Sequence, residues 1–503
     1  MIAPAAFRHR PRPNQVRSVR RVAASHGGTL GNWNPYRVSQ AQEPLDREKM
    51  QLRSEDIIAN DGHASAIRET IVTNAVGTGL TPQSALDHEA LGIAEADARA
   101  IEKAQERAFR MWMREAHAGR TMHFADCQQL TIGNIVTFGD SLWLGRMFDE
   151  PTRIRKGRLF SFALQDLHPI RMKTPPDRTL DLAVRDGISL DEDGEALGYF
   201  FANTDTLGQM TEYQYIPARQ GHRQIVFHSF RVREPEQVRG VPLLAPVLKL
   251  FRDKYDFLDY EVVAQIITAS FPIAIETENP KDYGAGANQN AEKRWFRQVN
   301  PGQVVYPNPG ESVKPIKSDR PGNNFDSFFK LILRTISAVA GIPYNQVLKD
   351  FSDTNYSSAR AALQEAWRVY QDYRAWLVRR FCQPVREHVL EEALLRGMWS
   401  LPKGAPDFYG AMDLYLNCRW TPPPRGYVDP YKEILAQLKG LEGGLFDYAS
   451  LFAEQGEDWE EKFSQQQRER DDRKSRGLPV VGAVSTSQPD PLAIQPDAPL
   501  PGR

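Results

Sequence analysis

One apolar series runs along the C-terminal half of the chain. Leu363, Trp367, Tyr370, Leu377, Phe381, Val385, Val389 and Leu394 recur at helical spacing, and Ser357 or Ser358 is placed to cap the start. An amphipathic helix of about forty residues is expected, spanning roughly 60 Å at 1.5 Å per residue. That is long for a globular helix. Pro384 lies inside it. Proline removes one backbone bond and clashes with the preceding turn, so a kink is expected there. The whole chain, 503 residues and 57.0 kDa, is too long for one small module. It suggests roughly two to four packed units.

The elements before that helix have an unusual order. Helices are expected at residues 54–76, where Gly77 and Gly79 stop the run, and at 95–116 and 124–138, the last ended by Gly139. The period then shortens. Residues 142–144, 159–164, 188–201 and 225–227 read as strands, with Asp193-Gly194 as a hairpin turn. Pro242 is placed to open a long helix to about Thr268. A small insert follows, with strands at 271–276, 303–306 and 312–316 and a helix at 290–299, and then an apolar helix at 325–340. An α/β unit between two helices can return its ends together as a stalk. Residues 341–356 read as a polar irregular loop, 420–430 as a proline-rich one, and 431–473 as short helices around the break at 440–444. The expected class is α+β with an antiparallel sheet.

Charge narrows the function. Lys plus Arg is 63 and Asp plus Glu is 64, a net charge of -1. A protein that coats nucleic acid carries a basic excess, so simple DNA wrapping is disfavoured. The first thirty-seven residues hold seven arginines and no acid, which reads as a disordered leader or a contact arm for DNA or a partner. Cys127, Cys382 and Cys418 are far apart and odd in number, which excludes a disulfide framework and fits a reducing compartment. No stretch reads as a transmembrane helix or a signal peptide. A soluble, intracellularly made protein is expected. From Pro479 the Pro-rich tail reads as disordered.

Chemical motifs are sparse. There is no G-x-x-x-x-G-K-[ST], no H-E-x-x-H and no G-x-G-x-x-G. Gly139-Asp140-Ser141-Leu142 spells the nucleophile block of a family of esterases, but no histidine has Asp three residues before it. A serine nucleophile needs such a base, so the bland reading is a helix-ending glycine and a turn into a strand. His117, His123, His222 and His228 form no metal-ligand spacing, and neither a metal nor a cofactor is expected. Met111, Trp112 and Met113 read as core, and Arg379-Arg380 as surface. Asp253, Asp256, Asp259 and Glu261 make one helix acidic, either as a solvated face or as a surface along which a polyanion slides.

Six blocks, in order, carry a resemblance. They are NAVGTGL (74–80), LQDLHPIRMKTP (164–175), RGVPLLAPVLKLFRD (239–253), GIPYNQVLKDFSDTNYSSARAAL (341–363), RRFCQPV (379–385) and TPPPRGYVDPYKE (421–433). Together they resemble the lambda family of bacteriophage portal proteins, over residues 43–479. Two positions depart from that pattern: Lys349 stands where a small residue is common, and Tyr427 where tryptophan is.

The resemblance implies a non-enzymatic subunit of a ring, typically a dodecamer, at one capsid vertex. Double-stranded DNA would pass through it during packaging and ejection. Its parts would be a basic arm (1–42), a wing (43–240), stem helices (241–268 and 320–341), a clip (269–319), a tunnel loop (342–357), the long kinked helix and its return (358–430), a crown (431–475) and a tail (476–503). Tyr344, Asn345, Gln346, Lys349, Asp350, Asp353 and Asn355 would form the tunnel loop. Asp253, Asp256 and Asp259 would face the channel, and Asn290, Lys293, Arg294 and Arg297 would mark the clip, where the terminase large subunit and then the head–tail adaptor dock. Major capsid and scaffolding proteins would be further partners. The expected location is the virion, with the host cytoplasm during assembly. Another structural head–tail ring protein and a hydrolase using Ser141 are the alternatives.

Overall fold

The computed structural model describes residues 43–204, 210–269, 273–277, 311–315, 325–352, 355–423 and 430–478. Within them the chain mixes helices with small antiparallel sheets. The N-terminal helices are α1 (Glu43–Asn60), α2 (Gly62–Ala75), α3 (Glu95–Met113) and α4 (Phe124–Phe138). Asp61 caps α2 by accepting from the His63 and Ala64 amides. Helix α4 ends at Gly139 in a left-handed conformation, as its sequence predicts.

The strands are β1 (Thr81–Ser84), β2 (Asp140–Met147), β3 (Phe162–Leu167), β4 (Val184–Arg185), β5 (Ile188–Leu190), β6 (Ala196–Thr204), β7 (Met210–Pro217) and β8 (Val226–Phe230). β2 runs between β8 and β3, and a second sheet has the order β4-β5-β6-β7. The hairpin at Asp193-Gly194 joins β5 to β6 as expected. The strand expected at 159–164 lies three residues later. Successive β2 side chains face opposite ways. Trp143 joins the main core with the helices, while Leu142 and Leu144 join a smaller core shared with Ile188, Tyr199 and Phe201.

Beyond the sheets lie α5 (Leu248–Ala269), β9 (Ile273–Thr277), β10 (Glu311–Pro315) and α6 (Phe325–Ala340). β9 and β10 pair antiparallel and α5 packs on α6, so the insert leaves and returns at one end. The helix at 290–299 and the strand at 303–306 lie outside the described residues. Pro242 does not open α5. The Leu243 amide instead donates to the Val136 carbonyl at 3.1 Å, and a 3-10 turn at Ala245–Val247 leads into the helix.

Residues 341–356 are not wholly irregular. They contain α7 (Tyr344–Leu348), whose Asn345 and Val347 are buried. The long helix follows as α8 (Tyr356–Leu377), a π-helical turn (Val378–Cys382) and α9 (Gln383–Leu395). Its cap is Asn355, which accepts from the Ser358 amide at 2.8 Å, not Ser357 or Ser358. Part of the stretch expected to be irregular is a strand, β11 (Cys418–Thr421), paired with β1. Three helices end the described chain: α10 (Pro430–Glu442), α11 (Tyr448–Glu454) and α12 (Trp459–Ser475). The basic arm and the tail beyond Leu478 lie outside the described residues.

Candidate functional site

The α5–α6 pair is held at its base, and much of α5 and part of α6 are exposed. Phe257 and Phe328 meet edge to face at 5.3 Å. The buried Lys254 ammonium pairs with Asp61 and lies 3.1 Å from His63 Nδ1, tying α5 to the cap of α2. Burial opposes the charge on Asp61, but hydrogen bonds from His63 and Lys254 hold its carboxyl far below the usual range. Further along, Tyr255, Tyr260, Val262, Val263, Ile266 and Leu331 are exposed. The acids are partly neutralised within the helix. Asp253 pairs with Lys249 at 2.8 Å and Asp256 with Arg252 at 3.1 Å, while Asp259 is also at the surface. The face is mixed in charge rather than acidic.

The seven loop candidates have different surroundings. The Arg334 guanidinium lies over the Tyr344 ring at 4.9 Å. Asn345 is buried, and Gln346 accepts from the Tyr370 hydroxyl at 2.7 Å. Asn355 is engaged as the cap of α8. Asp353 lies outside the described residues. Lys349 and Asp350 are exposed. Lys349 ends α7 with φ 55, the left-handed region, where any side chain with a Cβ carries a steric cost that glycine escapes. The Ser352 hydroxyl and amide hold Asp350 in a local turn and lower its carboxyl.

A buried ionic junction joins the sheets to the lead-in of α5. Asp140 is fully buried. Arg239 Nε donates to its Oδ2 at 2.9 Å, the Gly240 amide to its Oδ1 at 2.6 Å, and His228 Nε2 lies 3.1 Å from Oδ1. Arg239 also donates to the Met172 and Pro169 carbonyls at 2.9 and 3.1 Å. Arg47 of α1 pairs with Asp186 at 2.5 Å and reaches the Gly240 carbonyl. Burial works against the Asp140 charge, yet Arg239 and His228 overcome it and hold the carboxyl well below its ordinary range. The backbones cross so closely that a Cβ on Gly240 would sit 1.8 Å from the Gly139 oxygen. Sequence reasoning missed this junction. Asp140 and Arg239 are 99 positions apart, and each stood inside a block with a local explanation.

The long helix is interrupted at its proline. Pro384 cannot donate to the Arg380 carbonyl. The Gln383 amide donates to Val378, one residue further back than in an α-helix, and the Ser229 hydroxyl lies 3.3 Å from the freed Arg380 oxygen. Two buried arginines clamp the helix on either side. Arg374 donates to the Ala75 and Asn74 carbonyls at 2.8 and 2.6 Å and lies over the Trp367 ring. Burial brings its pKa down to about 10. Arg386 donates to the Leu416 carbonyl and the Ser84 hydroxyl at 2.6 and 2.7 Å.

Ser141 does not form a nucleophile. It lies on the β2 face opposite the Asp140–His228 pair, is buried, and its hydroxyl has no hydrogen-bond partner. The histidines do local work: His117 contacts Asp166 and Thr121, His123 caps α4, and His222 contacts Glu391. Among the described residues no group of three or more His, Cys, Asp or Glu is arranged to hold a metal ion. No described helix is long and apolar enough to cross a membrane.

The family model for phage portal proteins of the lambda family matches residues 26–374, well over half of the chain. The chain belongs to that family. Its enzyme reading therefore falls away, in line with the position of Ser141. Portal protein B of Escherichia phage lambda is 25% identical over 504 residues, covering 93% of each chain. The portal protein of Escherichia phage N15 is 26% identical, again covering 93% of each. A chain from the neck of a native gene transfer agent particle aligns over 87% of this chain and 94% of its own, with 15% identity and a TM-score of 0.45, too loose a likeness to add to the assignment. The family pattern begins seventeen residues before Glu43, so part of the N-terminal arm belongs to it.

Proposed function

We propose that the chain is the subunit of a portal ring, of twelve copies, at one vertex of the capsid. Double-stranded DNA enters and leaves through the bore. The observation that carries this reading is the exposed apolar face of α5 and α6. Tyr260 is 70% exposed, Ile266 61% and Leu331 59%. Water disfavours a contiguous apolar face on a lone subunit, and copies set side by side in a ring would cover it. The names of the lambda and N15 relatives agree with this reading.

In this assignment α1 to β8 form the wing, α5 and α6 the stem, residues 269–319 the clip, and α10 to α12 the crown. The clip receives the terminase large subunit and later the head–tail adaptor. Major capsid and scaffolding proteins surround the ring during assembly in the host cytoplasm, and the ring remains in the virion. Within the tunnel loop the channel contacts fall to Lys349 and Asp350, with Asp353 beside them in sequence. Each becomes a ring of charge in the assembly. Alternating signs touch phosphates without holding them, as translocation requires. The mixed-charge face of α5 serves the same end.

Lys349→Glu is expected to leave ring assembly intact and to lower DNA packaging or retention. The backbone strain at this left-handed position is the same for both residues, so the effect reports charge. Normal packaging by this variant would remove Lys349 from the channel. Deleting residues 285–298 is expected to abolish terminase capture in a pull-down while rings still form; unchanged capture would place the docking surface elsewhere.

A further inference from the structure

A cleft of about 580 Å³ lies between the start of α1 and the loop before β4. Its floor is the ionic junction, with Arg47, Asp186 and Arg239 among its lining residues. Its rim is apolar and bare. Leu180 is 95% exposed, Leu182 83% and Leu45 54%. Two leucines so exposed on one short loop are costly in water unless something covers them. Pro44 and Leu45 themselves line the cleft, so the first described residues stand at its wall.

We propose that residues 26–42 of the same chain seat in this cleft and cover the Leu180–Leu182 rim. Three observations select this occupant. The segment is tethered at the cleft wall, so its local concentration there is high without any partner. It carries Leu30, Trp33, Tyr36 and Val38, with Arg37 as its one Lys or Arg and no acid, which suits an apolar rim over a paired ionic floor. The family pattern starts at residue 26, so this segment is part of the family pattern, while residues 1–25, which hold six arginines, are not. The arm thus divides into a docked half and a basic free half.

The test uses the full-length protein, a truncation lacking residues 1–25, one lacking residues 1–42, and the Trp33→Ala/Tyr36→Ala double variant. Amide hydrogen exchange is read at residues 176–186. The shorter truncation is expected to leave exchange unchanged. The longer truncation and the double variant are expected to raise it by about tenfold. A benzophenone amino acid in place of Trp33, in a mixture of light and heavy chains, is expected to cross-link residues 170–186 within one chain. Exchange unaffected by the longer truncation, or cross-links joining light to heavy chains, would overturn the proposal; the second result would assign the cleft to a neighbouring copy.

Discussion

Asp140 shows how one buried carboxylate can fix a junction between distant parts of a chain. Its two oxygens take up Arg239, the Gly240 amide and His228, and Gln51 lies 3.4 Å away. Removing one partner of a buried ion pair leaves the other uncompensated, at a cost of roughly 3–5 kcal/mol. Asp140→Asn is therefore expected to destabilise the subunit by about that amount at neutral pH, read by denaturant unfolding. The folded carboxyl has a lowered pKa, so its contribution is complete above the unfolded value of about 4 and fades as pH falls through and below it. The gap between wild type and variant should narrow in acid. A gap that stays constant from neutral pH to pH 3 would show that packing, not charge, holds the junction. The cysteines carry no such role. Burial pushes the Cys127 and Cys382 thiols up, so both are unreactive fillers of the core.

Elements were legible where local signals coincide with burial. Helix α4 ends at Gly139 because glycine alone is relaxed at φ 81, and α6 matches its apolar series at both ends. The hairpin at Asp193-Gly194 follows from turn chemistry. Helix α7 was not legible, because its two buried residues are paid for by packing against α2 and α6 rather than by periodicity. The π-helical turn was hidden for a related reason. Pro384 signals a defect, but only the nearby Ser229 hydroxyl decides where the freed carbonyl goes. The seam between α3 and α12 was equally invisible. Glu102 and Glu106 accept from the Leu86 and Ser84 amides at 2.7 and 2.9 Å, and Asp458, Glu460 and Glu461 at the start of α12 act on them. Arg99 and Arg110 oppose that repulsion. Burial, then Asp458 and Glu461, push the Glu106 carboxyl up from 4.5 to about 7. A raised carboxyl favours the protonated fold, so stability is lost as pH rises from 4.5 to about 7. Glu106→Gln should stabilise the subunit by about 1–2 kcal/mol at pH 8, after allowance for solvent screening, and by nothing measurable at pH 4. Equal effects at both pH values would contradict the charge explanation.

The described residues form well-packed elements, and α5 and α6 carry apolar side chains that a single chain leaves exposed. The order helix, insert, helix, loop and long interrupted helix was legible because the apolar spacing along α5, α6 and α8 sets it apart from the Gly-, Asn- and Pro-rich segments between them. The side chains that face the bore were not, since rotation of α5 and α6 in an assembly is set by contacts between copies. The reading of a portal ring rests on Tyr260, Ile266 and Leu331 being covered by neighbours. The most direct measurement is the mass of the purified protein by light scattering, with negative-stain images of the same peak, made with the proposed capsid and scaffolding partners present. The account predicts a closed ring near twelve copies with a central hole. A stable dimer without a hole under those conditions would contradict it.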